Sequence, residues 1–457
     1  MGKTDRDVYI LNSIDQNLII RDYMVDISLV FEGRLDERLL RNSLTDLLQN
    51  EYEVYCGRLI TTADKQFALR KPTPSEKGQE FLWNSKDFRS APIDDFADVR
   101  SYPDAGTAKI EEKRSYGTLF PLMQVRSHKD YLDKDLSTLI IHFTKFSNAT
   151  AILFSISHMV CDGAGAKLLL QAWQDKIDGR PIQPLSEKLI LPPINDAVLG
   201  AATDRVPWSA LRSLRLFASL KWTQYWNGGP ECQRLTLSGD LVERIRANAA
   251  KLSGQRVSSS NIASAILSKL IVVGRGLRQS DVINECPISN LRTRFKGNER
   301  FAHNFYHVLN ISSTADEVEK HSVSELAVQK KAAISGYIEN LNRLRLEWHV
   351  MNENKATLVL PPNLINFISS TEWGSLNLTH FDFHAAASNP RDEDAGKLLD
   401  LDCVMDNKNC VTGGVILKND GYFGDGGVVI YATMQKAHWQ RAGNVLGDID
   451  KWLGSQE

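Results

Sequence analysis

At 457 residues with a formal net charge of −2, the chain is long enough for two hydrophobic cores and carries no large basic block, so neither nucleic acid nor an anionic membrane is an expected partner. No run reaches the roughly 18 apolar residues of a membrane span, and the charged start MGKTDRDVYILNS lacks the apolar core of a signal peptide. The six cysteines show no CxxC spacing, which argues against a disulfide framework and against a zinc site, and the expected compartment is the cytoplasm.

Residues 24–31 (MVDISLVF) read as a strand, and 36–48 as an amphipathic helix with Leu39, Leu40, Leu44, Leu47 and Leu48 on one stripe. Residues 59–69 suggest a hairpin. Residues 71–107, rich in Pro, Ser, Asp and Gly, show little periodicity and read as a surface segment. Two strands, 139–146 and 151–157, flank the short polar turn Ser147-Asn148, and a helix is predicted over 166–178. A stretch bearing Pro181, Pro184, Pro192, Pro193 and Pro207 then reads as a linker. Beyond it come a helix over 240–252, a second helix opened by Ser258-Ser259-Ser260, and mixed strands and helices to the end. The halves are similar in size and kind. The expectation is therefore two α/β lobes, 1–180 and 209–457, joined by a crossover at 181–208, with a ligand cleft between them.

Chemistry concentrates in SISHMVCDGAGAK, residues 155–167. Alternate side chains of a strand share a face, so Ile152, Phe154, Ile156 and His158 align, three apolar residues leading to one imidazole. A neutral imidazole at the end of such a strand is a workable general base, though a structural hydrogen-bonding role fits the same placement. Asp162 follows four residues later, where it can cap the next helix. Gly163 and Gly165 remove side chains where the chain bends or a ligand passes close.

The pattern His-x-x-x-Asp-Gly, with the whole of 137–173 around it, resembles the BAHD family of acyl-CoA-dependent acyltransferases, which share a fold with chloramphenicol acetyltransferase and peptide-synthetase condensation domains. LNSIDQ (11–16), YEVYCGRL (52–59), SSSNIASAI (258–266), SNLRTRF (289–295) with His303-Asn304 after it, TEWGSLNLTHFDFHAA (371–386) and GDGGVVIYATM (424–434) are similar to further family segments in the same order. One departure stands out. The family's Asp-Phe-Gly-Trp-Gly is here Asp382-Phe383-His384-Ala385-Ala386, a divergence that resembles fungal secondary-metabolite enzymes such as the trichothecene O-acetyltransferases.

The resemblance implies two chloramphenicol acetyltransferase-like lobes with an active-site tunnel between them. It also implies transfer of an acyl group, acetyl by expectation, from acyl-CoA to a hydroxyl of a small metabolite, by a monomeric enzyme with no permanent cofactor and no metal. His158 would be the base. Asp162 would turn away from substrate to pair with Arg292, and Gly163 would leave room for pantetheine. Thr371 would donate to the tetrahedral oxyanion with Trp373 beside it, Asp382 and Phe383 would be structural, and Ser258, Ser259 and Asn304 would lie near the CoA channel. His303, His307, His380 and His384 are expected to be structural or exposed. A condensation-type enzyme using a carrier-bound thioester, or a cyclase of the same fold, is the alternative.

Overall fold

The computed structural model describes residues 8–16, 20–73, 80–88, 90–97, 105–112, 120, 127–186, 188–191, 206–207, 210–353, 359–360, 366–403, 413–418 and 426–446. Two mixed sheets organise it. The first runs in the order Leu398–Cys403, Met24–Glu32, Ala149–Ser157, Leu139–Phe146, Leu82–Phe88, antiparallel except for the last pair. Its central Ala149–Ser157 strand is buried along its whole length. The second sheet runs Tyr306–Val308, Val282–Asn290, Phe367–Glu372, Gly413–Lys418, Val428–Gln435, Pro230–Leu237, Ala108–Glu112, and the Ile311–Thr314 strand also pairs with Val282–Asn290. Parallel pairing joins Val282–Asn290 to Phe367–Glu372 and the latter to Gly413–Lys418.

Helices follow where the sequence signals them. Asp36 caps Glu37–Asn50 by accepting from the backbone N–H groups of Arg38 and Leu39. Leu40, Leu44, Leu47 and Leu48 are buried there, whereas Leu39, expected on the same stripe, is 37% exposed. Gly163–Ile177 packs beside this helix, and the indole N–H of Trp173 donates to the Leu40 carbonyl at 3.2 Å. In the second lobe Ser258 caps the almost wholly buried Ser259–Arg275 helix, which closes on Gly276 in the left-handed conformation.

Two expectations need correction. The 71–107 stretch contains a strand, Leu82–Phe88, in parallel register with Leu139–Phe146. As an edge strand with a half-exposed, polar-rich sequence (LWNSKDF), it lacks the apolar alternation that marks a strand. Second, the lobes are not contiguous in sequence. Ala108–Glu112 joins the second sheet through Pro230–Leu237, while Leu398–Cys403 joins the first through Met24–Glu32. The start of the expected linker is hydrogen-bonded to the loop before residue 301. Ser186 N donates to the Arg300 carbonyl at 3.0 Å, and Arg300 Nε donates to the Pro184 carbonyl at 2.7 Å. Residues 192–205 and 208–209 lie outside the described residues.

Candidate functional site

His158 leaves the central strand of the first sheet with its backbone still in register. Its N–H donates to the Tyr23 carbonyl at 2.9 Å, one step beyond the Met24–Ser157 pair. The turn then closes with Val160 N donating to the Ser157 carbonyl at 2.8 Å, and the helix begins at Gly163. The half-buried His158 ring sits edge-on to Tyr306, 6.3 Å between centroids. Removal from water holds its pKa below the ordinary histidine value, against upward pulls from Asp162 and the Asn304 side chain. The imidazole is therefore neutral at neutral pH. Its Nδ1 is buried without a partner among the described residues.

Asp162 does two jobs with two oxygens. Oδ1 accepts from Gly165 N at 2.9 Å, capping the helix, and Oδ2 accepts from Arg292 Nη1 at 2.9 Å and Phe305 N at 3.0 Å. Burial alone would raise this carboxyl. The Arg292 charge and these hydrogen bonds outweigh burial and hold it below the usual carboxylate range. Arg292 also donates from Nε to the Phe301 carbonyl at 2.9 Å and from Nη2 to the His303 carbonyl at 2.5 Å. It thereby fixes the second-lobe loop against the first-lobe helix start.

That loop delivers Asn304. Its side-chain amide donates to the His158 carbonyl at 2.7 Å and to Asp15 Oδ1 at 2.7 Å. The His158 carbonyl can only accept, so the amide nitrogen is the end that faces it. Asp15 is fully buried and also accepts from Asn304 N at 3.2 Å and Asn12 N at 3.0 Å. Burial pushes its carboxyl up to about 8, against the pull of those donors. Asp15 was not singled out from the sequence. Its signal was the Asn12-x-x-Asp15 turn, closed by Asn12 Oδ1 accepting from Ile14 N and Asp15 N at 2.9 and 3.1 Å.

The glycines allow close approach. A Cβ on Gly163 would stand 3.0 Å from Trp373 Cε2, so the Trp373 ring edge lies against this glycine. A Cβ on Gly165 would overlap the Ala302 carbonyl oxygen. Trp373 thus lies against the motif. Thr371 stands two residues earlier in the central Phe367–Glu372 strand, half-buried, opposite Ile288 and Val415. Ser258 and Ser259 are occupied elsewhere. The Ser258 hydroxyl accepts from Asn261 N at 3.2 Å, and that of Ser259 accepts from Arg246 Nη2 at 2.7 Å. No hydrogen bond of either reaches the motif among the described residues.

In the diverged segment, the Asp382 carboxylate accepts from His384 N at 2.8 Å, and Phe383 is buried, stacked on Phe31 at 4.8 Å and edge-on to Trp173 at 5.3 Å. His384 is exposed, and its Nδ1 donates to the Ala395 carbonyl at 2.9 Å. His303 is buried. Its Nδ1 donates to the Val160 carbonyl at 2.8 Å, and its ring stacks on Tyr9 at 3.9 Å. His307 pairs with Glu347 at 2.5 Å in the second lobe, and His380 is exposed.

Two lobes of mixed sheet meeting at a His-x-x-x-Asp-Gly turn define the fold of the BAHD-type acyltransferases, a chloramphenicol acetyltransferase-like architecture, and this chain has that fold. F. graminearum TRI101 complexed with coenzyme A and deoxynivalenol superposes with a TM-score of 0.70 at 12% identity, covering 98% of both chains. Vinorine synthase superposes at 0.64 and 15% identity, covering 96% of this chain and 93% of that one. The first condensation domain of the CDA synthetase gives 0.57 at 13% identity, covering 98% and 96%. No protein-family model matches the chain. Among curated proteins, an O-acetyltransferase of Phomopsis amygdali is 24% identical over 353 residues, 68% of this chain and 70% of that protein. An acetyltransferase of Pyricularia grisea is 24% identical over 255 residues, 52% and 50%. A protein of Sordaria araneosa named a transcriptional regulator is 25% identical over 242 residues, 50% and 48%. The chain thus spans about half the length of two of these three relatives. The likeness to fungal acetyltransferases read from the sequence holds.

Proposed function

We propose that the protein transfers an acyl group, acetyl in the first instance, from acyl-CoA to a hydroxyl of a small secondary metabolite, in a ternary complex bound in a tunnel between the lobes. The observation that carries this reading is His158, a neutral half-buried imidazole anchored through its N–H to Tyr23 and through its carbonyl to Asn304. With Nδ1 buried, Nε2 is the nitrogen that meets the acceptor. It takes the hydroxyl proton as oxygen attacks the thioester carbonyl. The tetrahedral intermediate collapses with cleavage of the C–S bond, and the proton leaves with the CoA thiolate. Such base catalysis contributes roughly 10²–10⁴-fold. Thr371 donates to the oxyanion, and Trp373 walls the site against Gly163. Asn304 acts through His158 rather than through the CoA channel. Asp162, Gly163, Arg292, Asp382 and Phe383 are architectural. The acting unit is a monomer in the cytoplasm, its lobes spanning about 1–180 and 209–457 save for the exchanged strands.

The test is release of free CoA thiol and appearance of ester masses when the protein is incubated with acetyl-CoA and a panel of alcohols. His158→Ala should abolish both while the thermal midpoint stays put. Turnover at the wild-type rate in that variant would remove the base from the scheme. The likeness to a condensation domain favours a second reading, in which a carrier-bound thioester is the donor. Turnover with an acylated carrier protein and none with acetyl-CoA would select it.

A further inference from the structure

We propose that the exposed face of the Ala210–Asn227 helix docks on an anionic lipid surface. Leu211, Leu214, Trp222, Tyr225 and Trp226 are 57%, 65%, 67%, 79% and 64% exposed. At 3.6 residues per turn these five positions, with the exposed Ala218 between them, fall within an arc of about 120°. Large aromatic side chains are normally well buried, so three exposed in one stripe call for a partner. They are also mutually packed. Trp226 meets Trp222 at 5.8 Å and Tyr225 at 5.2 Å, both edge-on, which presents one joined aromatic platform.

Charge selects the partner. The helix sequence ALRSLRLFASLKWTQYWN carries Arg212, Arg215 and Lys221 and no acidic residue, within a chain of net charge −2. Pairing two copies of this helix would bring sequences of like charge together. An anionic bilayer supplies the opposite charge, and Trp and Tyr favour the headgroup boundary, with the ring in the apolar layer and the N–H or O–H in water. The contact is peripheral, since no helix among the described residues is long and apolar enough to cross a membrane. The proposal departs from the expectation, drawn from net charge and the lack of a large basic block, that no membrane is a partner.

The experiment is sedimentation of the full chain with vesicles of phosphatidylcholine alone and of phosphatidylcholine mixed with phosphatidylglycerol, with tryptophan emission read in parallel. The protein should pellet with the mixed vesicles at least tenfold more strongly than with the neutral ones, its emission shifting to the blue, and added salt should release it. Trp222→Ser/Tyr225→Ser/Trp226→Ser should lose at least tenfold in vesicle affinity while its thermal midpoint and solution turnover hold. Lys221→Glu, which spares the aromatic platform, should weaken binding to the mixed vesicles alone. Wild-type protein left in the supernatant with both vesicles would overturn the proposal. So would equal binding to both, or a dimer that the triple variant dissolves without any vesicle binding.

Discussion

Replacing Arg292 by alanine takes the only cation bonded to Asp162 among the described residues out of a place where the two side chains are 3% and 11% exposed. So little solvent reaches the pair that screening does not soften the loss. Breaking a buried pair from one side strands the other charge and costs about 3–5 kcal/mol. A domain's whole stability is about 5–15 kcal/mol, so the variant should unfold at a visibly lower urea midpoint. Its pH dependence should also change sign. In the wild type the Asp162 carboxyl lies below its unfolded value of about 3.9, so its stabilisation is present above that pH and is lost only as pH falls through the folded value. Without Arg292 the burial that now opposes ionisation prevails, and the folded value rises above the unfolded one. Stability should then fall as pH rises through the neutral range. Urea melts between about pH 5 and 8 would read both effects, and Asp162→Asn in the Arg292→Ala background should restore at least about 1 kcal/mol by removing the stranded charge. A loss below about 1 kcal/mol in Arg292→Ala, with the wild-type pH profile, would refute the reasoning.

Asp15, raised to about 8, contributes with the opposite sign: its share of stability is full below about pH 3.9 and is lost as pH rises through 8. Asp15→Asn should therefore flatten the decline in urea midpoint across that window. Gly165→Ala forces a methyl into the Ala302 carbonyl and should cost about 1–3 kcal/mol in a denaturation assay, whereas Gly163→Ala meets the edge of the Trp373 ring at 3.0 Å and should disturb turnover more than stability. His384→Gly, at an exposed turn with ordinary backbone angles, should lower stability by about 0.5–1 kcal/mol and leave the single-turnover rate unchanged.

Local chemistry was legible in the sequence, and long-range pairing was not. Asp36, Ser258 and the Ser147-Asn148 turn act within a few residues of themselves, so the two helix starts and the hairpin stand where the sequence puts them. The two roles open for Asp162, helix cap and partner of Arg292, proved compatible because a carboxylate has two oxygens. By contrast, nothing local in AKIEE (108–112) says that it pairs with 233–237, or in LLDLDC (398–403) that it pairs with 27–31. A strand's period fixes which side chains share a face and is silent about the neighbour. The neighbour of Gly163 was hidden for a related reason. A missing side chain reads as open space until the residue that fills it, Trp373, is brought from 210 positions away by the fold.

The same limit hid Asp15, and its position explains how the site is held together. Asn304 has one amide nitrogen with two hydrogens. One goes to the His158 carbonyl in the first lobe's turn and the other to Asp15 in the N-terminal segment. Arg292 fixes the loop before Asn304 by binding the carbonyls of Phe301 and His303, and Asp162 holds Arg292. Of these four polar residues Asn304 bonds the His158 backbone, and Asp15, Arg292 and Asp162 hold it in place through buried bonds. Buried hydrogen bonds of this kind resist distortion, and losing one member leaves its partners with the cost of burial. On the proposed mechanism these groups position the imidazole through its backbone, so loss of the Asp162–Arg292 pair should disturb stability and the geometry of His158 together.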